Sequence, residues 1–207
     1  MTRFALYFYL VISFFTISTL SFASKIEQSK CCKATKSTMN NYEPNIFHPT
    51  NNLLKPTGEE AIYCGEKIIV SGILLDQNCN PVSNAKIYIW QANCNGKYPY
   101  EPLKNTVVDK KLIDQKNKGS FTGNGIATTN NNGEFHFITI YPPAMHGESS
   151  HINIRVEPYE ESNMQTTLIL KGKKIKNPIL YPSLKNIAEI VDGSNIGIYN
   201  FEIVLPE

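Results

Sequence analysis

Ile87-Tyr88-Ile89-Trp90-Gln91-Ala92-Asn93-Cys94-Asn95-Gly96-Lys97-Tyr98 alternates bulky residues with a period of two and then breaks at Asn95-Gly96. A period of two is the geometry of a β-strand, whose successive side chains point to opposite faces. It sends Ile87, Ile89 and Gln91 to one face and Tyr88 and Trp90 to the other. Trp90, the single tryptophan, reads as a core anchor. The Asn-Gly pair then turns the chain sharply and presents Tyr98.

The same texture recurs on both sides of this strand. Lys67 to Leu75 is apolar and β-branched, and Asp76 to Asn84 carries turn residues, among them Asn80-Pro81 and Ser83-Asn84. Asn130-Asn131-Asn132-Gly133 predicts a hairpin between Gly125–Thr129 and Glu134–Ile140, where Phe135, Phe137 and Thr139 alternate with His136 and Ile138. His151 to Glu157, Gln165 to Leu170 and Ile198 to Leu205 read as further strands, and Leu184 to Val191 as one short helix entered through Pro182-Ser183. Short strands joined by turns predict an all-β fold, an antiparallel β-sandwich of prealbumin-like or Ig-like type. Long loops at Glu101–Gly119 and Pro142–Ser150 fall where such a scaffold carries its site.

The domain is expected to span residues 61–207. Residues 24–60 show no sustained period and read as an extended leader or linker. Met1 to Ala23 has the layout of an export segment: Arg3, an uncharged apolar run from Phe4 to Leu20, then the small residues of Ser21-Phe22-Ala23. Either it is a removed signal peptide, or residues 4–22 stay as a membrane tether. Both place the domain outside the cytoplasm. A net charge of +2 is too small to imply a nucleic-acid footprint, and the basic run Lys171 to Lys176 reads as a solvated loop.

Export makes the five cysteines informative, because disulfides persist in oxidising compartments. If the strands around residues 68–75 and 86–91 paired as a hairpin centred on Cys79, Cys64 would face Cys94. Two unrelated buried thiols are the other reading. Cys31 and Cys32, adjacent in a polar tail, read as a tether or as free thiols. No Gly-x-Ser-x-Gly elbow or Cys-x-x-Cys pair exists, so serine-hydrolase and thioredoxin chemistry have no support. Gly123-Asn124-Gly125 is a turn, and His48 and His136 have no partners at metal spacing.

The strand from Trp90 to Tyr98, the loop Ser120-Phe121-Thr122-Gly123-Asn124-Gly125, the strand Gly133 to Ile140 and His151-Ile152-Asn153-Ile154 together resemble the intradiol ring-cleavage dioxygenases. The resemblance implies an oxidoreductase that opens a catechol-type aromatic diol with O2 at non-haem iron(III), in the catabolism of aromatic compounds. It implies iron held by two tyrosines and two histidines. Phenolates suit hard trivalent iron, and a bound catechol then reacts with the ion as Lewis acid and template. Tyr98 stands at the first tyrosine position and His151 at the first histidine.

The second member of the His-x-His pair is Asn153, and alignment of Thr139-Ile140-Tyr141-Pro142-Pro143-Ala144 puts Met145 at the second tyrosine position. Glu148 stands where the family places a substrate arginine. Tyr141 and His146 are neighbours that could substitute. A rebuilt set of Tyr98, His146, His151 and Asn153 could hold divalent iron, copper or zinc. The bland reading keeps Tyr98 as a buried tyrosine, His151 as a hydrogen-bonded strand residue and His146 in solvent. The rival of another class is a non-catalytic sandwich of the transthyretin-like or carboxypeptidase-regulatory type. Val70 to Asp76, Asn80 to Ala85 and Thr128 to Phe135 also resemble it.

Overall fold

A computed structural model describes residues 32–103, 108–114, 116, 119–145, 148–159, 162–170, 183–190 and 196–206. The export segment therefore lies outside the described residues. Eight strands follow in chain order: β1 (Lys67–Leu75), β2 (Lys86–Trp90), β3 (Asn124–Thr128), β4 (Glu134–Ile140), β5 (His151–Tyr159), β6 (Ser162–Ile169), β7 (Ser183–Ile190) and β8 (Ile196–Val204). They form two four-stranded sheets, β4-β1-β8-β7 and β3-β2-β5-β6, packed as the expected sandwich. All pairings are antiparallel except β1 with β8, which run parallel.

Period-two patterning explains the layers. Along β4, Phe135, Phe137 and Thr139 are buried while Glu134 and His136 face solvent. Ile68, Val70 and Phe137 of one sheet share a continuous core with Ile87, Ile89, Ile152 and Ile154 of the other. Each such side chain stabilises the fold by about 1.5–3 kcal/mol of apolar burial. Gln91 ties the sheets with polar bonds at one end. Its amide nitrogen donates to the Ile140 carbonyl (3.0 Å), and its oxygen accepts from the Thr139 hydroxyl (2.8 Å).

Neither expected hairpin exists as a pair. The turn at Asn130–Gly133 is present: the Asn130 carboxamide accepts from the Asn132 and Glu134 amides, and Gly133 sits at φ 72°, where an added Cβ would meet the Leu74 carbonyl at 2.5 Å. Yet β3 pairs with β2 and β4 with β1, so the turn carries the chain from one sheet to the other. In the same way β1 and β2 belong to different sheets. Cys64 and Cys94 nonetheless form a disulfide, with Cα atoms 5.8 Å apart, which staples the layers across the sandwich rather than closing a hairpin.

Cys32 is neither free nor a tether: it is bonded to Cys79 in the β1–β2 connection, with Cα atoms 5.3 Å apart. The segment expected as a helix at 184–191 is strand β7, paired antiparallel with β8. Its length and β-branched content suit either state, and the open edge of β8 decides.

The leader is structural, and packing begins well before Ala61. Leu53 is fully buried and Leu54 nearly so. Asn51 and Leu53 bond the main chain of Ile138 in β4, while Thr50 and Leu53 accept from Ile126 and Thr122 on the β3 side. The leader thus bridges the open edge between the two sheets. The absence of a hydrophobic period hid this, because a strap across an edge has no repeating face to bury.

Candidate functional site

The end of β2 builds the site. Beyond Trp90 the Asn93 side chain organises the turn: its oxygen accepts from the Asn95 and Lys97 amides (3.0 and 3.1 Å), and its nitrogen donates to the Asp114 carboxylate (3.0 Å). Gly96 follows at φ 72° under the Met145 sulfur, which an added Cβ would meet at 2.9 Å. Sequence inspection passed over Asn93; an Asn two residues before an Asn-Gly pair is the signal that could have shown it. Tyr98 is then clamped by main-chain bonds, its N–H to the Leu112 carbonyl and its carbonyl from the Asp114 N–H (2.7 and 2.8 Å).

The Tyr98 ring joins Trp90 and Ala92 in a second buried cluster, lined by Tyr42, Phe47, Tyr100, Leu112, Ile113 and Met145. Tyr42 lies flat on Tyr98, with centroids 4.3 Å apart and planes 7° from parallel, and Tyr100 meets it edge-on at 5.8 Å. Burial pushes the Tyr98 phenol well above its ordinary value of 10. Tyr42 and Glu148 add to that shift in this order, and a hydrogen bond with the Asn153 side chain partly opposes it. Burial likewise raises Tyr100, helped by Tyr98 and Glu43, and the Tyr100 hydroxyl is buried with no hydrogen-bond partner among the described residues.

Asn153 faces Trp90 across the β2–β5 ladder, and His151 lies two residues before it on the same side of β5. The His151 ring bonds the Ser149 carbonyl through Nδ1 (2.9 Å) and lies 3.8 Å from the exposed Glu148 carboxylate. The structure therefore brings Tyr98, Met145, Glu148, Asn153 and the start of β5 to one rim. It does not bring Tyr141 there: that ring packs on Tyr199 against the main core, and Tyr141 as a substitute donor is corrected on this ground. His146 lies outside the described residues.

The donors at this rim do not fit the two-phenol, two-imidazole iron(III) centre. The positions that the resemblance gives to the second phenol and second imidazole carry Met145, a soft thioether, and Asn153, a neutral amide. Among the described residues no group of three or more His, Cys, Asp or Glu could hold a metal ion.

A leader residue, Arg155 and an aromatic wall complete the surroundings, none of them signalled by sequence. Arg155 lies over Tyr88 (4.2 Å) and Phe47 (5.6 Å) and pairs with Glu43 (3.3 Å) and Glu157 (3.1 Å). Phe47 in turn packs edge-on against Tyr88 and Trp90.

Comparison with known proteins places the family and the fold. Residues 40–158 match the family described as Dioxygenase. A Rickettsia bellii protein named "Putative dioxygenase" is 51% identical over 144 residues, covering 70% of this chain and 69% of the relative. A Rickettsia felis protein of the same name is 43% identical over 192 residues, covering 88% of each. The fold matches the intradiol ring-cleavage dioxygenase from Tetranychus urticae with a TM-score of 0.59 at 20% identity, over 84% of this chain and 94% of that one. The chain belongs to the dioxygenase family, with the β-sandwich fold of its intradiol ring-cleaving members, and its class is therefore that of an oxidoreductase.

Proposed function

We propose that this protein acts on a small catechol-type aromatic diol with O2, outside the cytoplasm, at the rim where Tyr98, His151 and Asn153 meet. The observation that carries the reading is the convergence of Tyr98 and Asn153, with His151 on the same side of β5. The rings of Tyr42, Tyr100 and Trp90 pack with Tyr98 in one buried aromatic cluster behind this rim. The hydrogen bond that His151 Nδ1–H donates to the Ser149 carbonyl fixes the orientation of the imidazole and leaves Nε2 as the ring nitrogen free to hold an ion. Asn153 holds the Tyr98 phenol in place, and Met145 keeps water from it.

Imidazole and amide donors suit a divalent ion such as iron(II), copper or zinc better than iron(III). The proposed donors are Tyr98, His151 and Asn153, with His146 as a further histidine. Export is supported by the residue 1–23 pattern and by two disulfides, which a reducing cytoplasm would not maintain.

The test is oxygen uptake by the purified protein with catechol, with metal content and visible spectrum measured on the same sample. Expected are O2 consumption matched by diol loss, a fall of about 100-fold or more in His151→Ala, and no strong phenolate-to-iron(III) absorption band. Diol binding without oxygen uptake would overturn the enzymatic reading. It would favour a non-catalytic sandwich that binds its ligand unchanged, the reading to which Met145 and Asn153 lend weight.

A further inference from the structure

Tyr42 has a φ of 60°. In that region the Cβ of an L-residue crowds the backbone, and an aromatic residue there is strained. Strain of this kind persists where the surroundings over-determine it, and it concentrates at functional sites. The surroundings of Tyr42 do so from every side. The Trp90 indole donates to the Asn41 carbonyl (2.9 Å), and the Glu43 carboxylate pairs with Arg155 and accepts from the Gln165 side chain (2.9 Å). Leu103 donates to the Glu43 carbonyl and Asn45 to the Glu101 carbonyl (2.8 and 2.9 Å), while the Tyr42 hydroxyl accepts from the Asp109 N–H (3.1 Å).

All of these bonds hold one ring over another. With Tyr42 stacked on it, Tyr98 is left 3% exposed, so no flat ligand reaches that face unless Tyr42 makes room. A second observation points to a hydroxylated ligand in the same cluster. The Tyr100 hydroxyl, edge-on to Tyr98, is buried and unpartnered among the described residues, a costly state that a ligand oxygen would relieve.

We propose that Tyr42 is the specificity-determining residue of this site: its ring closes the face of Tyr98 and controls which aromatic ring is admitted. The inference rests on the diol reading of the rim. In its simplest form, Tyr42 lets an unsubstituted diol ring reach Tyr98 and shuts out one with a bulky substituent.

Trp90 makes the test direct, since it is the single tryptophan and shares the buried cluster, so its fluorescence reports occupancy. Catechol and 4-tert-butylcatechol are titrated into the full protein and into Tyr42→Gly and Tyr42→Phe. Glycine adopts the left-handed region without strain, so the first variant removes the ring and keeps the backbone path. Tyr42→Asn, also tolerant of that region, serves as a second ring-free variant with folding checked by circular dichroism.

In the ring-free variants the affinity for 4-tert-butylcatechol is expected to rise relative to catechol by about tenfold, the scale of one aromatic contact. Tyr42→Phe should keep the parent ratio. An unchanged ratio in folded Tyr42→Gly, with catechol still bound, overturns the role of Tyr42 and leaves the diol reading standing. Binding only in the ring-free variants supports control of admission by Tyr42 and removes diol turnover by the parent. No binding in any variant overturns both.

Discussion

At the Tyr98 phenol, the burial that makes the residue a good packing partner makes it a poor anion, because loss of water disfavours the charged form. The consequence for stability has a definite sign. Tyr98 titrates above its ordinary value of 10 when folded, so above that pH the unfolded chain gives up a proton that the folded chain keeps. Its contribution is complete below pH 10 and is lost as pH rises toward the folded value; Tyr100, shifted the same way, adds to the loss. Raising the pH from about 9 to about 11 should therefore destabilise the parent more than Tyr98→Phe. Urea unfolding at both pH values checks this, and equal losses in the two proteins would contradict it.

At this scale Tyr98, His151, Asn153 and Met145 were legible as residues at motif positions. Their environment was not. Stacking by Tyr42 and the unpartnered Tyr100 hydroxyl depend on contacts distant in sequence, which no local spacing encodes.

Among the elements, the leader separates pattern from packing. Its residues carry no period, yet it seals the β3–β4 edge, supplies Tyr42, Glu43 and Phe47 to the site, and is pinned by Cys32–Cys79. A cross-link of this kind stabilises mainly by restricting the unfolded chain. The paired Cys32→Ser, Cys79→Ser variant is expected to lose about 2–5 kcal/mol, measured by urea unfolding under oxidising conditions. A loss near zero would mean that the leader is held by its hydrogen bonds and by Leu53 alone. The Cys64–Cys94 link shows the converse: the pair was reached from a supposed β1–β2 hairpin, whereas the strands belong to different layers. Both arrangements leave the strand ends at disulfide distance, so the pairing survives a wrong topology.

Taken as a whole, the molecule has one continuous core between its sheets, and β8 lies inside the first sheet, parallel to β1 on one side and antiparallel to β7 on the other. Removing a central side chain should therefore weaken both sheets together. Phe137, fully buried, is the natural probe: Phe137→Ala is expected to cost about 3–5 kcal/mol. Trp90 fluorescence, from the other sheet, and far-ultraviolet circular dichroism should show coincident transitions. Separate transitions would indicate sheets that unfold independently.

Period-two alternation and turn residues by themselves determined that this chain makes strands and packs them as a sandwich, because those signals act within a few residues. Which strand lies beside which was decided by tertiary structure alone. The turn at Asn130–Gly133 is compatible with a hairpin or with a crossing between sheets, and only the competition for burial among all strands selects the crossing. The same holds for residues 184–190, whose strand state depends on the free edge of β8, and for Tyr42, which reaches Tyr98 only because the leader is drawn across the sandwich.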